Sequence, residues 1–315
     1  MNQTASLNYI PTDIVSVLDY ERYAREALPY DVLEYINGGV ADDITLNRNR
    51  SAFDAMSIYN RVLNDFSHSS TQIELFSGSQ KQTLSHPILL APVAHQTLIH
   101  ADGEIATAQA AAALNVPMIV STLASKQLED IAKHAGPCWF QLYWQPCRDA
   151  NLELINRAIN AGYSAIIITL DAAVNGLRNR AQRVGFVLPN DININLRDLP
   201  QAATKTLNPS DSIILNGFMS DAPSESDLVW LRQQVKLPLI AKGISHPQDA
   251  ILLKKLGFDG VVVSNHGGRT LDTLPASIEL LPAIRAAVGD DFTVLFDSGI
   301  RRGSDIFKAM ALGAN

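Results

Sequence analysis

From residue 86 onward, short continuously apolar runs alternate with amphipathic segments of helical period. The apolar runs do not alternate with polar residues, a pattern typical of a parallel sheet that is covered on both faces. They predict strands over residues 86–94, 116–121, 138–143, 165–170, 238–241, 260–264 and 293–296. The segments between them predict helices over residues 103–114, 126–134, 149–161, 226–234, 246–255, 277–287 and 304–312.

Strand–helix units repeated in this way favour a parallel α/β fold with right-handed crossovers. Seven units are present, whereas a closed (β/α)8 TIM barrel has eight. The last residues, 312–315, resemble the lead-in at residues 256–259, which precedes the predicted strand at 260–264. We therefore predict a (β/α)8 barrel that is C-terminally truncated in this chain, and a seven-unit open sheet is the alternative.

Two segments fall outside this rhythm. Residues 1–85 contain predicted helices over residues 12–28 and 29–38, which we expect to cap the barrel. Residues 171–225 form a long connection rich in Asn, Asp and Ser, and such a connection is either an active-site lid or disordered. The 315-residue chain is thus expected to form one domain, with a barrel over residues 86–315, this N-terminal cap and a long active-site loop.

Composition and charge limit the classes of molecule that the protein is expected to bind. With 47% hydrophobic and 18% charged residues, the chain is expected to be globular with ample core. A net charge of −7 argues against nucleic acid, which needs a basic face, but a local field in a cleft can still attract a small anion. The two cysteines, Cys138 and Cys147, give no disulfide framework, and no metal-ligand spacing occurs. Because neither a signal-peptide pattern nor an apolar run of about 18 residues occurs, we expect a cytoplasmic protein without a membrane segment.

Polar residues follow the predicted strands, where a barrel places its active site. His266 and Arg269 lie in the sequence Ser-Asn-His-Gly-Gly-Arg, which supplies a base near neutral pH and a guanidinium suited to a carboxylate. Backbone N–H groups around Ser298 and Gly299, together with a helix start near Arg302, predict a phosphate site. The strands end at residues 91–94, 121, 141–143, 169–171, 242–243, 264–269 and 297–303.

These motifs resemble those of the FMN-dependent α-hydroxy-acid oxidase/dehydrogenase family, which includes glycolate oxidase, lactate oxidase, flavocytochrome b2 and mandelate dehydrogenase. The resemblance covers residues 20–315 and rests above all on the motifs at 242–243, 264–269 and 297–303. It implies a flavoprotein with a TIM-barrel fold that binds FMN and assembles as a homotetramer.

The resemblance also implies roles for single residues. His266 would be the base that acts on the substrate's α-C–H or hydroxyl, with Asp171 stabilising its imidazolium and Tyr143 bonded near the reacting oxygen. The substrate would be bound by Tyr35, Tyr143, Arg178, His266 and Arg269. Lys242 would lie at the N1/O2 edge of the flavin. The residues that would bind the cofactor are Pro92, Val93, Ala94, Ser121, Gln141, Thr169, Lys242, Ser264, Asp297, Ser298, Gly299, Ile300 and Arg301.

The implied reaction is the oxidation of a lactate-like L-2-hydroxy acid to the 2-oxo acid, with electrons passed from FMN to oxygen to give H2O2. A quinone or cytochrome acceptor is the alternative, and oxygen is favoured because no haem module precedes the barrel. Leu123 stands where several family members carry an aromatic residue, which leaves the size of the substrate open. Because the family's eighth strand and its share of the phosphate site are missing from the sequence, an inactive truncated remnant is a third possibility.

Overall fold

The structure, a computed structural model, describes residues 9–173, 176–201 and 206–315. Six parallel strands pair in the order in which they occur along the chain. In this parallel register Val120 lies opposite Phe140, and Phe140 lies opposite Ile166. The six strands are β3 (Met118–Ser121), β4 (Cys138–Tyr143), β5 (Ile166–Thr169), β6 (Leu239–Ile244), β7 (Gly260–Val263) and β8 (Thr293–Phe296).

Helices follow the strands and cover the outside of the sheet, as the amphipathic segments predict. Their apolar sides pack on outward-facing strand residues such as Phe140, Ile166 and Val261 in one large core. The helices of the barrel are α4 (Glu104–Ala113), α5 (Leu128–Ala132), α6 (Arg148–Asn160), α8 (Glu225–Gln234), α9 (Pro247–Lys255), α10 (Ser277–Val288) and α11 (Gly303–Ala311).

A second apolar cluster fills the inside of the curved sheet. The strands contribute alternate residues to it, namely Ile119, Trp139, Ile167, Ile240, Val262 and Leu295. Both faces of every strand are therefore buried, which is why the strands have continuous apolar sequences. The curled parallel sheet and its outer helices confirm the predicted α/β barrel architecture.

A β-hairpin that the sequence pattern did not predict closes the amino-terminal mouth of the barrel. It consists of β1 (Ile73–Leu75) and β2 (Gln82–Leu84), which pair antiparallel. Leu75 and Leu84 enter the inner cluster, and the Trp139 indole donates a hydrogen bond to Gln82 Oε1 at 3.2 Å. The hairpin therefore seals the barrel at the end opposite the carboxyl ends of the strands.

The strand predicted over residues 86–94 is wrong as a full strand. Only Leu90 pairs with the sheet, in an isolated parallel bridge to Met118. Its N–H donates to Pro117 O, and its carbonyl accepts from Ile119 N–H. Pro92 has no N–H to donate to Ile119 O, and Pro117 has none to donate to Ile88 O, so the ladder does not extend beyond Leu90. The sheet position expected for the first barrel strand is still occupied.

The N-terminal cap differs from its prediction in two ways. The helix predicted over residues 12–28 is shorter, since a 3-10 turn at Val17–Asp19 leads into α1 (Tyr20–Ala27). The helix predicted over residues 29–38 is confirmed as α2 (Tyr30–Asn37). A third helix, α3 (Ile44–Ala55), was not predicted, because much of its buried face is polar.

The long connection after β5 contains short helical elements in its described residues. It contains α7 (Asn179–Arg183), 3-10 turns at Ile194–Leu196 and Phe218–Asp221, and a π-helix at Ile213–Gly217. Asn195 anchors it to the barrel, because its buried amide donates to Ala124 O and Lys126 O and accepts from Leu128 N–H. Part of the predicted loop, residues 174–175 and 202–205, lies outside the described residues. In the described segments no helix is long and apolar enough to span a bilayer.

Candidate active site

A cavity of about 1370 Å³ opens at the carboxyl ends of the strands. Pockets for one small molecule are typically about 300–1,000 Å³, so this cavity has room for two ligands. Most of the predicted site residues line it. Three others lie one layer behind, where they hydrogen-bond to lining residues: Gln141, Asp171 and Ser264.

The turn after β7 presents His266 to the cavity. His266, Gly267 and Gly268 all have left-handed backbones, with φ of 58°, 65° and 72°. Asn265 holds the turn in place because its buried amide exchanges two hydrogen bonds with the amide of Asn49, at 2.9 and 2.7 Å. A side chain at Gly268 would also meet the α3 backbone, since a Cβ there would lie 2.5 Å from Leu46 N. Gly268 therefore lets the capping helix pack directly on this turn.

His266 is fixed from both sides. Its Nδ1 lies 2.8 Å from Asp171 Oδ1, and its Nε2 lies 3.1 Å from the hydroxyl of Tyr143. The Asp171 carboxylate accepts Nδ1–H, which leaves Nε2 as the basic nitrogen that faces the cavity. Gly243 makes this arrangement possible, because a Cβ there would lie 2.3 Å from Asp171 Cγ. Burial and the negative charge of Asp171 raise the pKa of Tyr143, so its phenol stays protonated.

Two guanidiniums flank Tyr35 at the same end of the cavity. The Arg178 carbon Cζ lies 5.6 Å from the centre of the Tyr35 ring, and the Arg269 Cζ lies 5.5 Å from it. Arg269 donates to carbonyls at the C-terminal end of α2, including Ile36 O at 3.0 Å and Tyr35 O at 3.2 Å. The Nη1 of Arg178 is buried and has no hydrogen-bond partner among the described residues.

No carboxylate of the described residues pairs with either of these arginines. Burial lowers the pKa of Arg269 to about 10, and the positive charge of Arg178 adds to the effect. Burial likewise lowers the pKa of Arg178. Two desolvated cations without a counter-ion form a site for an anion.

Polar side chains form a connected row beneath the middle of the cavity. Ser121 Oγ donates to Gln141 Oε1 at 3.1 Å, and Gln141 Nε2 donates to Thr169 Oγ1 at 2.9 Å. Lys242, at the end of the row, is 5% exposed and contacts Ser264 Oγ at 2.9 Å and Asp297 Oδ2 at 3.0 Å.

An apolar edge of the same cavity is formed by residues 92–94. Val93 is 52% exposed there and lines the cavity. A flat polar ring system can therefore lie with one face on carbon and one edge on hydrogen-bonding groups.

The far end of the cavity contains the predicted phosphate site. Ser298, Gly299, Ile300 and Arg301 line it, but α11 begins at Gly303 and is capped internally. The N–H groups of Arg301 and Arg302 both donate to Asp305 Oδ2, at 3.0 Å each. The Arg301 guanidinium donates to Ile300 O. Among the described residues, no acceptor is found for the N–H groups of Gly299 and Ile300.

Arg50, on α3, also reaches this end. Its guanidinium donates to both carboxylate oxygens of Asp305, at 2.7 and 3.1 Å, and to Gly299 O at 2.8 Å. The sequence pattern did not single it out, because its partner lies 255 positions away. His95, Phe186 and Asn193 were missed for the same reason, and only their contacts in the fold identify them as parts of the cavity wall.

The fold and the site together define a barrel enzyme in which a histidine held by a carboxylate lies beside an anion pocket. The model of the FMN-dependent dehydrogenase family matches residues 24–315. An L-lactate oxidase of Alicycliphilus denitrificans is 45% identical over 308 residues, which cover 97% of this chain and 83% of the relative. A 4-hydroxymandelate oxidase of Amycolatopsis orientalis is 38% identical, with 96% and 84% covered.

The solved structures agree with these matches. A crystal structure of mandelate oxidase with (S)-2-phenylpropionate superimposes with a TM-score of 0.83 and 37% identity, covering 95% of this chain and 82% of that one. The chain therefore belongs to the FMN-dependent dehydrogenase family, and it is an oxidoreductase with FMN as its cofactor.

The residues present fit this cofactor. The ammonium of Lys242 has three N–H donors, and its contacts with Ser264 and Asp297 leave one of them for an acceptor in the cavity. Although burial opposes it, Lys242 holds the pKa of Asp297 below its usual value, so Asp297 remains an acceptor for hydroxyl groups. The apolar edge at residues 92–94 and the N–H groups of Gly299 and Ile300 match a flat ring and a phosphate.

Proposed function

We propose that this protein oxidises a lactate-sized L-2-hydroxy acid to the corresponding 2-oxo acid. The observation that carries the proposal is the position of His266 between Asp171 and Tyr143, next to Arg178 and Arg269, which have no carboxylate partner among the described residues. A 2-hydroxy acid has the matching groups, a carboxylate for the two cations and an adjacent C–OH for the base. FMN, when bound, accepts the electron pair released from the substrate.

His266 Nε2 accepts the proton that leaves the substrate. Asp171 holds the imidazole in the tautomer that presents this nitrogen, and its negative charge stabilises the imidazolium that forms. The hydroxyl of Tyr143 stays protonated and donates to Nε2, 3.1 Å away; when the substrate binds, it turns to donate to the reacting oxygen instead and frees Nε2. His266 and Tyr143 thus act on the C–OH group of the substrate, and Asp171 acts through His266.

Arg178 and Arg269 hold the substrate carboxylate. The buried Nη1 of Arg178 gains the partner that it lacks, and the Arg269 guanidinium is already oriented by the carbonyls of α2. An oriented guanidinium loses little freedom when it binds, which favours capture of a small anion. The Tyr35 hydroxyl contributes a further hydrogen bond to the carboxylate.

Lys242, at the other end of the row from Ser121, Gln141 and Thr169, would hold the flavin at its N1/O2 edge. A cation there stabilises negative charge that develops on the ring system. Ser264 orients the ammonium from behind, and residues 92–94 would support the ring on its apolar face. Asp297, Ser298, Gly299, Ile300 and Arg301 would bind the ribityl chain and the phosphate.

The preference for a lactate-sized substrate rests on the relatives, because the cavity wall leaves the size of the substrate open. Leu123 lines the cavity near His95, whose N–H donates to Leu123 O at 3.1 Å. An L-lactate oxidase at 45% identity supports lactate, whereas the 4-hydroxymandelate oxidase shows that an aromatic hydroxy acid is the second candidate. Oxygen as acceptor, with H2O2 as product, is supported by the same relatives, which are oxidases. A quinone or cytochrome acceptor is the alternative.

The test is an anaerobic titration of the purified FMN-loaded protein with L-lactate, D-lactate, glycolate and L-mandelate. We expect rapid loss of flavin absorbance near 450 nm with L-lactate and little with D-lactate. Admitting air should restore the absorbance and release H2O2 if oxygen is the acceptor, whereas a quinone dye would be needed in the alternative. Failure of every 2-hydroxy acid to bleach the bound flavin would show the proposal to be wrong.

A further inference from the structure

A second histidine, His95, lies in the wall of the same cavity. It is 5% exposed, and its backbone is left-handed, with φ of 59°. Residues other than glycine rarely adopt this conformation, and His and Asn are among those that tolerate it best. The conformation directs the imidazole between the cap and the long connection, so His95 contacts one side chain from each.

The two ring nitrogens of His95 have different partners. Nε2 lies 2.8 Å from Asn193 Oδ1, on the long connection, and Nδ1 lies 3.4 Å from the hydroxyl of Tyr35, on α2. The carbonyl oxygen of Asn193 can only accept, so Nε2 carries a proton. In the neutral imidazole Nδ1 is then an acceptor, and the Tyr35 hydroxyl donates to it. The Tyr35 oxygen therefore presents lone pairs to the cavity.

Protonation of the imidazole reverses this hydrogen bond. With both nitrogens carrying hydrogen, Nδ1–H donates to the Tyr35 oxygen, and the Tyr35 O–H turns towards the cavity. There it can donate to the carboxylate that Arg178 and Arg269 hold. The orientation of one hydroxyl thus depends on the charge of a histidine on its other side.

We propose that His95 is a positioning residue that sets the donor direction of Tyr35 and thereby couples binding of the substrate carboxylate to protonation of its own imidazole. This inference rests on the proposed function, because it takes the anion next to Tyr35 to be the carboxylate of a 2-hydroxy acid.

The charged groups around His95 make the coupling sensitive to a ligand. Burial lowers the pKa of His95, while the hydrogen bond to Asn193 and the charge of Glu104 on α4 oppose the effect. Arg178 faces the imidazole from the long connection and lowers the pKa further, and Tyr35 faces it from α2. A bound carboxylate neutralises part of the Arg178 field and accepts from Tyr35. Anion binding therefore favours the imidazolium, and by linkage lower pH favours anion binding.

The test compares the FMN-loaded wild type with His95→Asn, which tolerates the left-handed backbone but is too short to reach Tyr35. The probe is pyruvate, a non-reacting 2-oxo acid, and its Kd is read from the change in flavin absorbance between about pH 5 and pH 8. Because His266 is a second imidazole in the cavity, the quantity of interest is the ratio of the two Kd values at each pH. We expect the ratio of the wild-type Kd to the His95→Asn Kd to rise about tenfold from the acid to the alkaline end, because only the wild type has a neutral imidazole that holds the Tyr35 O–H away from the anion.

The same pair is then measured in a Tyr35→Phe background, where the hydroxyl is missing. The ratio should fall to about one at every pH if His95 acts through Tyr35. A second variant, Asn193→Ala, keeps the imidazole but frees its tautomer, so Nδ1–H can donate to Tyr35 at any pH. We expect the pH dependence of its Kd to be flatter than that of the wild type.

Two results would overturn the inference: a Kd ratio that is the same at all pH values, or a ratio that persists in Tyr35→Phe. Both are distinct from failure of the proposed function, in which L-lactate and the other hydroxy acids leave the wild-type flavin oxidised. Should His95→Asn not retain FMN, the Asn193→Ala profile decides alone. A profile parallel to that of the wild type would then refute the coupling.

Discussion

The two ends of the cavity use arginine in opposite ways. At the substrate end, Arg178 and Arg269 have no carboxylate partner among the described residues, and the pKa of each is lowered. At the phosphate end, Arg50 is bound to both oxygens of Asp305, and the hydrogen bonds to this carboxylate raise the pKa of Arg50. The guanidiniums of Arg178 and Arg269 thus lack a carboxylate partner among the described residues, whereas the guanidinium of Arg50 is already neutralised by Asp305.

This difference distinguishes arginines that can bind a ligand from an arginine that stabilises the fold. Asp305 is 1% exposed, and it holds Arg50 from the cap together with the backbone N–H groups of Arg301 and Arg302. The charges at the phosphate end therefore join the cap to the barrel. At the substrate end the guanidiniums of Arg178 and Arg269 have no carboxylate partner among the described residues, as is typical of functional sites, although Arg269 also donates to carbonyls of α2.

The largest effect on activity is expected at His266, next to the two arginines that lack a carboxylate partner. Replacing the base in His266→Gln should slow bleaching of the flavin by L-lactate by about a thousandfold, because glutamine cannot accept the substrate's proton. Bound FMN should remain, since His266 lies at the substrate end. The control is His68→Gln, an exposed histidine far from the cavity, which should react like the wild type. Bleaching at an undiminished rate would disprove the assignment of the base.

The second effect concerns the contribution of Arg50, at the phosphate end, to stability. Arg50→Met should lower the free energy of unfolding by about 3 kcal/mol, because it leaves the Asp305 carboxylate buried without its guanidinium. Arg48→Met is the matched control on the same helix. Arg48 forms an exposed pair with Glu279 and should contribute at most about 1 kcal/mol. Urea unfolding of both variants checks the prediction, and equal losses would remove the distinction between the two positions.

The parts of the site that could be predicted from the sequence are those that neighbouring positions in the chain identify. The apolar strands are continuous because both of their faces are buried, and the polar residue after each strand lies at a known edge of the sheet. His266, Arg269 and Lys242 could therefore be located from the sequence alone. The bounds of β4 and β8 agree with their predictions because each strand is one uninterrupted run.

The features that sequence did not predict depend on distant partners. Helix α3 buries Asn49, whose partner Asn265 lies 216 positions away, so its buried face has no apolar period. The strands of the β1–β2 hairpin have three residues each, too few for a pattern to emerge. His95 stands alone in an irregular turn, and only the packing of α2 and the long connection around it places it in the cavity wall.

The smallest expected effect on stability compares a paired and an unpaired arginine within one short segment. Arg178 and Arg180 are close in sequence, but Arg180 pairs with Glu34 through two hydrogen bonds of 2.7 Å, whereas Arg178 has a buried nitrogen without a partner among the described residues. Arg178→Met should therefore raise the free energy of unfolding of the FMN-loaded, substrate-free protein, by about 1 kcal/mol, while it weakens pyruvate binding.

Arg180→Met should instead lower the free energy of unfolding, since it leaves the Glu34 carboxylate, which is 13% exposed, without its counter-ion. Arg180 also lowers the pKa of Glu34, and the stability from this pair is present above the usual pKa of a glutamate and lost as the pH falls below it. Unfolding at neutral pH should thus show opposite signs for the two variants, and near pH 4 the loss in Arg180→Met should shrink. If both substitutions destabilise the protein equally at neutral pH, the charge of Arg178 stabilises the fold, and the idea that it is unpaired in order to bind a ligand is wrong.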